Sequence, residues 1–169
     1  RDLRDQITTL TAFEHRDYMV LDRRALDDLE VFEPAARRTG APTLLSVLDR
    51  TLTAMCHRLL RRWLSRPLLD LEPLRARHDG LETFDGDAAL RRAARERLRR
   101  VPDLERLMNR VRTYAASPRD LASLARGMEQ IPQLKGTLED SGGGRSIEAA
   151  GHLKECPEVI ALVGAALFD

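Results

Sequence analysis

Apolar side chains at Leu44, Leu48, Leu52, Met55, Leu59 and Trp63 recur in steps of four, four, three, four and four, which lays them along one face of an α-helix. A stretch that keeps this period cannot alternate as a strand. The rest of the chain agrees: sustained period-two alternation is missing apart from one short extended piece, Ile7 to Phe13. Aromatic residues make up only 4%, which further disfavours a β-sandwich. Thr51 and Thr53 are weak helix formers inside the run and mark a bend, because their hydroxyls compete for backbone partners. Pro67 ends the segment.

More helices follow. Asp70 is placed to cap a second one, with Pro73 early enough to be tolerated and Leu71, Leu74, Leu81 and Phe84 as its buried stripe. His78 lies in that stripe and reads as a core or boundary histidine with a local partner. Ala88 to Arg100 carries Leu90, Ala94 and Leu98 on one face and six arginines elsewhere, and Val101-Pro102 interrupts it. Leu104, Leu107, Met108 and Val111 face inward on the next helix, whose Asp103 and Glu105 sit where the dipole favours negative charge. Ser117-Pro118-Arg119-Asp120 is a helix start in four residues: a cap, a proline with the right φ, and the reciprocal acid of a capping box. The helix it opens runs through Leu121, Leu124, Met128, Ile131, Leu134 and Leu138, and Pro132 is expected to kink or split it. Residues 141–146 (Ser-Gly-Gly-Gly-Arg-Ser) read as a flexible surface loop, followed by short helices over Ile147 to Leu153 and Val159 to Phe168.

The expected fold is therefore all-α, a multi-helix core domain. At 169 residues it is the size of one ordinary domain with room for a real core. Lys and Arg together number 28 against 27 acids, a net charge of +1, so no global field marks a nucleic-acid or membrane binder. All but Lys135 and Lys154 of those cations are arginine. Cys56 and Cys156 form neither a disulfide framework nor a CxxC pair, which suits a reducing, cytoplasmic setting. The apolar stretch from Val159 to Phe168 is about half of a bilayer span and is broken by Gly164, so no membrane partner is expected. The chain starts at Arg1, and a piece of a longer protein is expected.

Chemistry-bearing constellations are weak. The glycine run lacks the Lys-[Ser/Thr] ending and the strand before it that a phosphate-binding loop needs. His152 and Cys156 have i, i+4 spacing, but Pro157 follows and no further ligand is near, so no metal site is expected. Cys56 and His57 are adjacent and cannot share a helix face as nucleophile and base. No catalytic or cofactor-binding residue emerges. Arg91, Arg92, Arg95 and Arg99 are candidates for weak DNA-backbone contact, although a solvated or acid-paired face is the plainer reading. Arg58, Arg61, Arg62 and Arg66 flank Trp63 and are expected to lay their aliphatic stems over the indole.

The residues carry a more specific pattern. Residues 43–55 (Thr-Leu-Leu-Ser-Val-Leu-Asp-Arg-Thr-Leu-Thr-Ala-Met), continuing through Arg58 to Leu64 and Pro67-Leu68, closely resemble the core domain of MutS DNA mismatch repair proteins. Arg77, Asp79 and Glu82 fit the next helix of that family, Asp103 to Leu107 its following helix start, and Ala116 to Leu121 its A-S-P-R-D-L signature. Upstream, Met19, Leu21-Asp22 and Leu29-Glu30-Val31 resemble the elements that open the domain. The resemblance covers about residues 17 to 138. Cys56 departs from a usual Gly, His78 from an apolar residue, and Ala25 and Asp28 from Thr and Asn.

What the resemblance implies is a helical hub, residues 1–138, with residues 139–169 forming a Gly-rich loop and the start of helices that approach the DNA clamp. The hub would be a structural and allosteric segment coupling ATPase state to the clamp. The parent protein would bind mismatched duplex DNA as a homodimer, use ATP and Mg, and recruit a downstream repair factor. This segment holds no Walker A, Walker B or F-x-E motif, so it is not expected to be an enzyme. The core residues expected to matter are Leu48, Leu59, Trp63, Leu104, Leu107, Leu121 and Leu124. Two alternatives stay open: a paralogue acting on recombination intermediates, and a free-standing helical interaction module.

Overall fold

Short polar side chains start most of the helices. The computed structural model describes residues 17–34 and 40–168, and the extended piece expected at Ile7 to Phe13 lies outside the described residues. Asp22 caps α1 (Arg23–Asp28), Thr43 caps α2 (Leu44–Leu48), and Thr53 caps α3 (Ala54–Ser65). Asp70 caps α4 (Leu71–Gly86), as its position suggests, and Asp87 caps α5 (Ala88–Leu98). Asp103 caps α6 (Leu104–Arg112) and Ser117 caps α7 (Pro118–Met128), after which come α8 (Gln130–Glu139), α9 (Gly144–Gly151) and α10 (Pro157–Phe168). At each of the seven capped starts, α1 to α7, a side-chain oxygen accepts from an amide that the first turn leaves without a partner. Among the described residues the only β pairing is an isolated antiparallel bridge between Tyr18 and Leu68.

The run from Leu44 to Leu64 is two helices, parted where Thr51 and Thr53 were expected to bend it. Asp49 accepts from both the amide and the hydroxyl of Thr51, at 2.9 and 2.6 Å, and this local turn outcompetes helical continuation. Pro132 does mark a split, but the break falls at Glu129, so that Pro132 sits in the first turn of α8 where its missing N–H costs nothing. The glycine run is a surface loop only over residues 141–143, because α9 already starts at Gly144. Gly142 turns the chain at φ +68°, Gly143 precedes α9, and Ser146 is buried with its hydroxyl bonded to that of Ser141 and to the Gly143 carbonyl.

Leu90, Leu138 and Ala150 form the buried centre, with Phe84, Leu134 and Leu153 packed around them, so α4, α5, α8 and α9 meet there. Leu124, Ala125 and Gly127 are buried on α7, which packs against α6 and against α10 through the buried Val163. The α4 stripe needs correcting: Leu71 and Leu81 are 59% and 68% exposed, and His78 is exposed beside them. The partly buried residues of α4 include Leu74, Ala76, Thr83 and Phe84, with Thr83 and Phe84 on the side where α5 and α9 pack.

Ser117 and Asp120 close a full capping box. Ser117 Oγ receives the Asp120 amide at 3.3 Å while Asp120 Oδ2 receives the Ser117 amide at 2.8 Å. Ser117→Ala is expected to cost about 1 kcal/mol and Ser117→Gly only a few tenths. Thermal melts would show the alanine variant about 2–4 °C lower in a chain of this size.

Candidate coupling site

The geometry that stands out is a helix held at both ends. Arg58, on the exposed side of α3, directs its guanidinium at the start of α6. Its Nη1 and Nη2 donate to the two oxygens of Asp103 at 2.8 and 2.7 Å, and Nε and Nη2 donate to Glu105 Oε2 at 3.1 and 2.5 Å. Asp103 Oδ1 also accepts the Arg106 amide at 3.1 Å. One carboxylate therefore both caps α6 and receives a planar fork from α3. Arg58 holds the Asp103 carboxyl below its ordinary value, against the opposing effect of desolvation.

At the other end of α6, Arg110 Nη2 lies 3.1 Å from Asp120 Oδ2 and donates to the Ala115 carbonyl at 3.2 Å. Asp120 is the capping-box acid of α7, and its carboxyl is also depressed, first by the Ser117 hydroxyl and then by the Ser117 amide. Between the two ends, α6 meets α7 at Gly127, where Pro102 and Leu104 approach so closely that a Cβ would stand 2.7 Å from each. Charged contacts thus fix the ends of α6 while a glycine sets its distance from α7.

A similar joint lies between α2 and α3. His57 Nδ1 is 2.5 Å from Asp49 Oδ2, and Arg95 Nη1 donates to the Arg50 carbonyl at 3.0 Å, which pins the same turn to α5. The Asp49 carboxyl is lowered to about 2, chiefly by the Thr51 hydroxyl, then by His57 and the Thr51 amide. A carboxyl depressed by folding takes up its proton more readily in the unfolded chain. Its contribution is complete above the unfolded value near ~4 and is lost as pH falls through the folded value. Stability is therefore expected to drop from about pH 4 toward pH 2 as Asp49, Asp103 and Asp120 protonate. Melting temperatures taken across that window check this, and Asp49→Asn should flatten the decline.

The arginine stripe on α5 is largely engaged within the protein. Arg91 Nη1 donates to the carbonyls of Phe84 and Asp85 at 2.6 and 3.0 Å, where the end of α4 favours a cation. Arg95 reaches Arg50, and Arg99 pairs with Glu96. Arg92 is exposed and has no partner among the described residues. Of the expected core residues, Leu124 is buried and Leu59, Leu104, Leu107 and Leu121 are partly buried. Leu48 and Trp63 are a correction: they are 49% and 39% exposed. Arg77 from α4 stacks on Trp63, its guanidinium 3.9 Å from the ring centre. Arg61 stacks on Phe32 instead.

The constellations weighed in the sequence take up local geometry in the structure. Cys56 is free, and its neighbour His57 is turned to Asp49. His152 ends α9 and Cys156 follows four non-helical residues later, so they share no helical face. Among the described residues no cluster of three or more His, Cys, Asp and Glu is arranged to hold a metal. The ATP and Mg implied for the parent find no cradle in residues 141–146, where the serine hydroxyls close on each other and Arg145 pairs with Asp79 and Glu148, both at 2.8 Å.

Residues 24–167 match the family model MutS domain III. The chain belongs to the MutS domain III family. It is 48% identical over 126 residues to the DNA mismatch repair protein MutS of Roseiflexus castenholzii, covering 73% of this chain and 12% of that protein. Against MutS of Thermus thermophilus the figures are 48% over 126 residues, 75% of this chain and 15% of the relative. Against MutS of Symbiobacterium thermophilum they are 37% over 163 residues, 96% and 19%. The chain thus spans well under a quarter of the length of these MutS relatives. Its MutS match runs past residue 138 into α9 and α10. No helix among the described residues is long and apolar enough to cross a membrane.

The contacts of this MutS core that sequence reasoning missed are Arg58 to Asp103, Arg110 to Asp120, Arg145 to Asp79, and Gly127. None had a decisive local signal: Gly80, Gly136 and Gly164 also stand inside helices, yet a Cβ at each would meet nothing within 4 Å.

Proposed function

We propose that this MutS core is the coupling element through which a parent protein relates the state of its ATPase to the state of its DNA clamp, both carried by chain outside residues 1–169. The observation that carries the reading is α6 held at both ends by arginines on carboxylates that also cap helices. A displacement of α3 then pulls on the start of α6, and α6 pulls on the start of α7. Close-packed joints of this kind shift between discrete arrangements more readily than they bend. The parent, on this reading, binds mismatched duplex DNA as a homodimer in the cytoplasm, uses ATP and Mg, and hands over to a downstream repair factor. The mismatch-repair names of the relatives support repair over a recombination role.

The test uses the full-length parent with Arg58→Ala, which removes the fork and leaves the Asp103 cap. ATP-induced release of mismatched DNA is expected to weaken about tenfold, within the usual range of coupling energies, while mismatch affinity without ATP stays unchanged. Unaltered ATP response would overturn the reading. Residues 1–169 alone are expected to give no phosphate release above background from ATP and no preference for mismatched over matched duplex.

A further inference from the structure

The chain passes from α6 into α7 through residues 113–117, and it turns on a tyrosine. Tyr114 stands at φ +56°, in the left-handed region that glycine adopts freely and a bulky side chain resists. Its amide donates to the Val111 carbonyl at 3.0 Å and the Ala115 amide donates to the Arg110 carbonyl at 2.9 Å, a paired closure that favours glycine at this position. Arg110 is the strut of the turn. Its Nη2 donates to the Ala115 carbonyl and lies against Asp120, at 3.2 and 3.1 Å, yet its Nε is buried with no hydrogen-bond partner among the described residues. A buried donor left unpaired costs free energy, and so does a left-handed tyrosine. Both costs fall on one connection. The sequence, meanwhile, does not demand a stop at this point: Thr113, Tyr114, Ala115 and Ala116 include neither glycine nor proline, and alanine is the best helix former. The first firm break is Pro118, which disfavours helical backbone at Ser117.

We propose that residues 113–116 are a two-state element, with the turn described above as one state and a continuation of α6 through Ala116 as the other. Winding moves Tyr114 into the right-handed region and passes its amide to the Arg110 carbonyl and the Ala115 amide to the Val111 carbonyl. The Ala116 amide, which has no partner among the described residues, gains the Arg112 carbonyl. The Ala115 carbonyl leaves Arg110 in the same step, and Arg110 Nε reaches water. Four helical residues advance about 6 Å, so the start of α7, with Asp120, takes a new position relative to α6. Arg110 on Asp120 and the α7 capping box hold the turn until α6 is pulled. The inference rests on the coupling reading for its use, and names the segment that yields when α3 pulls on α6.

Hydrogen exchange read by mass spectrometry tests it on the full-length parent bound to mismatched duplex, before and after ATP. Overlapping peptides across residues 110–118 are expected to show exchange at Ala116 slowed about tenfold by ATP, within the usual range of coupling energies. Tyr114→Gly suits the turn and weakens the helix, so it should shift the equilibrium toward the turn about fivefold, the low end of the cost of a non-glycine residue at this φ, and shrink that response. Tyr114→Ala keeps the left-handed cost and favours the helix, so it should enlarge the response. Circular dichroism of both variants confirms that the fold is kept. Exchange at residues 113–116 that ATP leaves unchanged or speeds, or equal responses in the glycine and alanine variants, would overturn the proposal. This readout does not depend on DNA release: slowed exchange at Ala116 alongside an unaltered ATP response in Arg58→Ala would support the two-state element while removing the coupling reading.

Discussion

Gly127→Val is expected to destabilise the chain by about 3 kcal/mol, seen as a lower urea midpoint with the slope unchanged. A Cβ at this position would lie 2.7 Å from Leu104 Cδ2, 2.7 Å from Pro102 Cδ and 2.9 Å from Pro102 Cγ. Leu104 can swing its methyl aside. The Pro102 ring cannot, because it is fixed to the backbone between α5 and α6. The valine must therefore push α6 off α7, against the pull of Arg110 on Asp120. Gly127→Ala is a useful companion: its better helix propensity is worth up to about 1 kcal/mol, yet the same Cβ clash remains, so it too should destabilise. A valine variant as stable as the parent sequence would show that α6 and α7 are not in close contact.

The second large effect is Leu90→Ala, expected to cost about 3 kcal/mol. Leu90 is 5% exposed and meets Leu138 and Ala150, so truncation leaves a cavity where α5, α8 and α9 converge. Leu81→Ala on α4 is the contrasting case. At 68% exposure it should change stability by less than about 0.5 kcal/mol, although both leucines fit a helical stripe equally well. Equal losses in the two variants, measured by the same denaturant titration, would put the α4 stripe back in the core.

That pair of leucines shows where sequence reasoning stops. Period 3.6 establishes that α4 has an apolar stripe, but not which side its neighbours occupy. Leu71 and Leu81 fit the period and face out, while Thr83 lies against Gly143 at the start of α9 and Phe84 packs on the Leu90, Leu138 and Ala150 cluster. Trp63 misled for a related reason. Its size argues for burial, whereas Arg77 from another helix covers the ring and leaves it 39% exposed, so the 3 to 5 kcal/mol expected for a fully buried Trp does not apply.

The candidate site was less legible than the helices. Asp103 and Glu105 read correctly as a helix start, but their partner Arg58 is 45 and 47 residues away. Nothing in the row Arg58, Arg61, Arg62 and Arg66 distinguishes the one that forms the fork from the one that stacks on Phe32. Equally, the dense charge on α5 suggested an outward-facing stripe, and two of its arginines turned out to donate to backbone carbonyls of other segments.

By itself, the sequence determined the all-α class, the starts of α4, α6 and α7, the breaks at Pro67 and Pro102, and the MutS resemblance. These depend on side chains acting within three or four residues of themselves, or on motifs in fixed order, and both survive without knowledge of the third dimension. Only the tertiary structure decided which face of α4 is buried, which arginines clamp α6, and why Gly127 stands where it does. Burial and ion pairing join residues distant along the chain, and their partners exist only once the helices have packed.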